Sequence, residues 1–195
     1  MIGKKLSLYS FVYLLSSHAV TSSLSLHRPG LAQATSRSPY VEQLGSQVRG
    51  LSQQEVDDLL NGRGAGYARS AELNRYPGPR HVLDLKQKLN LSPKQTQQIE
   101  AVFQQMQVQA KHLGQEIIQP EAKLSTAFSS ETISETEMKS QIENLAQLYG
   151  QLRATHLQAH LQIKPLLSTK QIAEYNKLRG YTNAATQSKP SQHEH

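Results

Sequence analysis

Cysteine is absent from all 195 residues. That absence removes disulfide staples, thiol nucleophiles, redox relays and thiolate metal sites, and leaves an oxidising compartment permitted but not required. Tryptophan is absent too, and aromatic residues make up only 6% of the chain. With few large side chains for a thick core and glutamine abundant, the chain suits long two-layer helices, with a second copy adding burial that one copy lacks. No apolar run approaches the roughly 20 residues needed to span a bilayer as a mature anchor. Nothing alternates convincingly as a strand, so the expected fold class is all-α.

One short apolar run is present. Lys4 and Lys5 precede Leu6 to Leu15, the pattern of an export signal, and Leu31-Ala32-Gln33-Ala34 offers a small-x-small cleavage site. Cleavage after Ala34 is preferred to cleavage after Ala19. Residues 1–34 are therefore expected to be a signal peptide and the product periplasmic. The formal charge of +6 overstates the mature basicity: without Lys4, Lys5 and Arg28, 18 basic residues face 15 acidic ones, a net +3. A nucleic-acid partner is not expected, because such binders concentrate a basic patch.

Catalytic motifs are missing as well. There is no Ser-centred elbow, zincin helix or paired-carboxylate context. Gly62-Arg63-Gly64-Ala65-Gly66 looks like a phosphate loop only superficially, since no strand precedes it and no Lys-Ser/Thr follows; it reads as a turn. Glu116 and Glu121 flank Pro120 as charges on a helix. No enzyme is expected.

Two short boxes bracket the longest helix-compatible stretch: Leu91-Ser92-Pro93-Lys94-Gln95 and Leu167-Ser168-Thr169-Lys170-Gln171. In each, the serine can accept from orphan backbone N–H groups and the glutamine three residues later can reach back, as a capping box. Pro93 occupies a first-turn position where a missing N–H costs nothing. A degenerate third copy, Leu51-Ser52-Gln53-Gln54-Glu55, opens a short helix over 51–60.

The remaining pattern follows from period and punctuation. Residues 35–50 lack periodicity and read as a flexible leader. Tyr67 to Asn74 supports a helical turn or two, Tyr76-Pro77-Gly78-Pro79 an extended turn, and Pro79 the start of a helix through Leu89. From Pro93 the apolar positions are Ile99, Phe103, Met106, Ala110, Leu113, Ile117, Leu124 and Phe128, steps of four and three that make a coiled-coil seam. Pro120 falls on that seam and should kink the helix without ending it. After a turn at 129–134 the rhythm returns through Met138, Ile142, Leu145, Tyr149, Leu152, His156, Ala159 and Ile163. The expectation is a long antiparallel hairpin with short flanking helices over 51–181, then a disordered tail over 182–195.

Boxes, hairpin and export signal together resemble the Spy/CpxP-like family of periplasmic proteins, which also includes ZraP-type proteins and periplasmic nickel/cobalt sensors. The family box is Leu-Thr-x-x-Gln; both clear copies here carry serine for threonine. The likeness spans Pro79 to Tyr181. It implies a cradle-like homodimer that holds unfolded or misfolded proteins without ATP, or an adaptor that engages a membrane-bound stress regulator. The expected client-binding residues are Leu85, Met106, Leu113, Ile117, Leu124, Leu148 and Leu157, with Lys86, Lys88, Lys94, Lys111 and Arg153 as nearby cations.

The alternative is a heavy-metal sensor or resistance protein. His156 and His160 lie four apart and can face one side of a helix, a spacing suited to Zn, Ni, Co or Cu. The resemblance adds Glu100 and His81 as the nearest matches to the sensors' remaining ligands, with His160 standing where those sensors carry methionine. The competing reading is a packed seam histidine at 156 with His160 at its edge. No organic cofactor is expected.

Overall fold

A computed structural model describes residues 37–46 and 48–184. The export segment with its cleavage point, and residues 185–195 of the tail, lie outside the described residues. Among those described, every regular element is helical. The α-helices are α1 (Gln53–Leu60), α2 (Arg69–Glu72), α3 (Pro79–Asp84), α4 (Pro93–Ser129), α5 (Glu135–Ile163), α6 (Thr169–Leu178) and α7 (Tyr181–Ala184). No described helix is long and apolar enough to cross a membrane.

All three boxes cap helices. Ser52, Ser92 and Ser168 sit in extended backbone and accept from the N–H groups of Glu55, Gln95 and Gln171, whose side chains accept in turn from the cap N–H. α4 runs unbroken through Pro120 for 37 residues, about 55 Å at ~1.5 Å per residue. Asn90, at φ 49°, closes the turn before its first box.

The long helix pair, α4 and α5, organises everything else. Lys123 approaches Glu137 at 3.9 Å, the Tyr149 hydroxyl donates to Glu121 at 3.1 Å, and Gln95 Nε2 donates to the Leu166 carbonyl at 2.8 Å. Positions on α4 thus fall as their partners beyond the turn rise. One core gathers Val48, Leu51 and Leu59 onto Ala110, Leu113 and Ile117 of α4 and Leu145 and Leu152 of α5. A second gathers Val82, Leu89, Ile99, Ile163, Leu167, Ile172 and Tyr175 where α3 and α6 meet the pair. Gly114 makes the first possible. A Cβ there would lie 2.0 Å from the Leu59 carbonyl oxygen, so only glycine lets α1 cross α4 this closely.

Several sequence-based expectations need correction. The leader over 35–50 is not free to its end: Val48 is buried, and the Arg49 N–H donates to Ser125 Oγ at 3.2 Å. α3 stops at Asp84 rather than Leu89, and the connection continues as turns. A helical turn, Tyr181–Ala184, runs from the end of the expected domain into the first residues of the expected tail. The seam also slips at both inner ends of the pair. Phe128 is 55% exposed while Ala127 is buried, and Ile142 is 48% exposed while Gln141 is buried. A straight α-helix drifts by ~20° per heptad against a 3.5-residue repeat. Three heptads back from Ile163 the drift turns Ile142 outward and brings its neighbour in.

Candidate functional site

The two full boxes meet in space. Gln95 Nε2 donates to Gln171 Oε1 at 3.0 Å, and Gln171 Nε2 donates to Gln95 Oε1 at 3.2 Å. Each amide also donates to a carbonyl next to the other's box, Gln95 to Leu166 at 2.8 Å and Gln171 to Leu89 at 3.2 Å. Each oxygen accepts from its own cap N–H, at 3.0 Å for Ser92 and 2.9 Å for Ser168. Both carboxamides are thereby used on both sides. Leu91 is half-buried and Leu167 buried beside this clasp. The boxes therefore lock α4 to α6, which the caps alone do not announce.

The expected metal set is brought together only in part: His160 lies near enough to His81 and to His156 to influence the charge of each, while Glu100 has no such neighbour among them. His156, 3% exposed, stacks on Tyr67 with ring centroids 5.7 Å apart and planes at 12°. Its Nε2 is buried without a hydrogen-bond partner among the described residues. Burial, with a smaller contribution from His160, lowers its pKa to about 4. His160 points elsewhere, its Nδ1–H donating to the Tyr76 carbonyl at 2.7 Å. Glu100 is exposed on α4, and His81 lies 3.9 Å from Asp84. Among the described residues no three His, Cys, Asp or Glu side chains are grouped to hold a metal. His156, His160, Glu100 and His81 therefore form no such group as they stand, and the two imidazoles of α5 pack against the segment that carries Tyr67 and Tyr76.

A different residue, Glu72, holds that region together. It accepts from the Tyr175 hydroxyl, from the Tyr181 hydroxyl at 3.0 Å and from the Gly78 N–H at 3.1 Å, and it faces Arg179 at 3.5 Å and His160 at 3.8 Å. Burial raises the Tyr175 pKa, and the bond to Glu72 raises it further. No motif marks Glu72, because its partners other than Gly78 lie about a hundred residues along the chain.

The expected client-binding residues divide. Leu113 (2% exposed) and Ile117 (0%) are corrected: they are sealed inside the first core under α1. Leu85, Met106, Leu124, Leu148 and Leu157 are only half-buried. Leu124 opens with Phe128 onto one shallow groove near the turn, and Leu148 with Pro120 onto another. Further apolar side chains stand out beyond the expected set: Val108 at 70% exposure and Leu161 at 60%. Both lie off the 3.5-residue seam, which was the one signal available for them. The cations Lys86, Lys88, Lys94, Lys111 and Arg153 are all exposed.

No family model matches this chain, and neither does any curated protein or solved structure. The helix pair and its open apolar positions are what a functional reading can use.

Proposed function

We propose that this chain is an exported, non-enzymatic protein-binding chaperone or envelope-stress adaptor of the Spy/CpxP type. In this reading the helix pair is the hairpin arm of a cradle-like periplasmic homodimer. The observation that carries it is the set of incompletely covered apolar side chains on the pair: Met106, Leu124 and Phe128 on one side of α4, Val108 on its far side, and Ile142 on α5. A helix pair this long and thin cannot bury both faces, and the apolar positions left over are where an unfolded segment gains most by leaving water. Exposed lysines beside them would speed encounter with acidic segments. The paired boxes, with the clasp they form, support the family resemblance.

The heavy-metal reading stands second, because His156 and His160 are engaged with Tyr67 and Tyr76. The protein-binding reading is tested by mixing the exported form with a reduced, aggregating client and following light scattering. Suppression near equimolar ratio is expected, with weaker suppression by a Phe128→Ser, Val108→Ser double variant. Aggregation unchanged at several-fold excess of folded protein overturns it. A pull-down that returns one stoichiometric membrane regulator would select the adaptor form.

A further inference from the structure

The groove between Ala101–Gln109 of α4 and Thr155–Gln162 of α5 has a volume of about 490 Å³, and none of its lining residues is charged. Its walls carry Gln105, Gln109, Gln158 and Gln162, all exposed and none hydrogen-bonded to another described side chain or backbone group. Gln95 and Gln171, by contrast, have every polar position engaged. Each free carboxamide offers a donor and an acceptor, the complement of a peptide C=O and N–H. The half-buried Val102 and Met106 and the buried Ala159 also line the groove, an apolar floor with room for small side chains, while Val108 is exposed.

We propose that this groove binds a short, extended, uncharged polypeptide segment by its backbone, with one or two apolar side chains seated against Val102 and Met106. The proposal rests on the protein-binding role above and names the client chemistry for one site within it. Charge favours this occupant. An ionised side chain drawn into the groove would lose water without meeting a counter-charge, whereas a neutral backbone exchanges water for carboxamides. Size favours it over a second copy of the chain. Nine helical residues span about 13 Å, the length of roughly four extended residues at ~3.3 Å each. A stable dimer needs about 800 Å² from each partner, more than a single groove of that length supplies.

Because the chain has no tryptophan, a tryptophan-bearing peptide reports its own binding by fluorescence. The probe is acetyl-Ser-Trp-Ser-Leu-amide, titrated with the full chain, beside versions with aspartate or lysine for both serines. The neutral peptide is expected to bind with an affinity unchanged between about 0.05 and 0.5 M salt. Both charged versions, and the variants Val108→Lys and Gln158→Glu with the neutral peptide, are expected to bind at least about tenfold more weakly. Circular dichroism establishes that both variants, altered at exposed helical positions, remain folded. Equal binding of the charged peptides, or undiminished binding by both variants, overturns the proposal. So does conversion of a dimer to a monomer by Val108→Lys in sedimentation, which assigns the groove to a second copy. Client scattering run in parallel separates the two readings. Peptide binding that persists where large clients aggregate freely supports the groove and removes the chaperone. Suppression with no peptide binding removes the groove alone.

Discussion

A buried imidazole whose Nε2 has no partner among the described residues gives this protein an acid limit. In the folded chain His156 stays neutral down to about pH 4, whereas an exposed histidine protonates near 6.5. The unfolded state therefore binds the extra proton between those values, and folding stability falls as pH falls through them. Above 6.5 the contribution is fully present; by pH 4 the loss is on the order of 3 kcal/mol. Urea unfolding at a series of pH values across this window should show that decline. His156→Leu, which keeps the bulk against Tyr67 without the titrating group, should flatten it; an equally steep slope in the variant would place the acid limit elsewhere. The glutamine clasp makes a second prediction at this scale. Gln95→Ala removes half a capping box and strands the Leu166 carbonyl and the Gln171 amide, at a cost of about 2–3 kcal/mol. Glu55→Ala, in the exposed box of α1, should cost about 1 kcal/mol. In a double-mutant cycle Gln95→Ala and Gln171→Ala should fall short of additivity by about 1 kcal/mol or more, as partners in one network do.

Among elements, the crossing of α1 over α4 is the least tolerant joint. Gly114→Ala would drive a methyl group into the Leu59 backbone, and backbone cannot turn aside as a side-chain tip can. Destabilisation of at least about 2 kcal/mol is expected, with α1 displaced and Leu113 and Ile117 uncovered. Binding of an apolar dye should rise in the variant, and an unchanged melting temperature would mean that α1 is not seated as described. This joint also shows what the sequence could and could not tell. Helix starts at Ser52, Ser92 and Ser168 were legible because a capping box is a contact across three residues. The long helices were legible because their period repeats over many turns. Gly114 carried no such mark: an isolated helical glycine reads as a cost to the helix until its neighbour is known. The bond from Arg49 to Ser125, that from Tyr175 to Glu72 and the meeting of Gln95 with Gln171 were likewise hidden, since each joins residues 70 or more positions apart. Seam counting placed Leu113 and Ile117 correctly as apolar helix positions but not which neighbour would cover them.

Across the whole molecule, burial is unevenly spread along the helix pair. Among the described residues neither core draws a member from the stretch between Leu124 and Leu145, and Phe128 and Ile142 there are exposed to 55% and 48%. Helix stability in water comes mainly from packing of the apolar face, so backbone amides in this stretch should open more readily than those around Ile99 and Leu152. Native-state hydrogen exchange should therefore be fastest near the α4–α5 turn and slowest where α1, α3 and α6 cover the pair. The same region holds apolar side chains with little to lose by meeting a client. Under the protein-binding proposal, an unfolded client should slow exchange at 124–142 and at 101–109, and leave the glutamine clasp unaffected. Protection gained only around Gln95 and Gln171 would mean that clients tighten the covered end of the pair rather than land on its open positions, and the surface assigned to them here would be the wrong one.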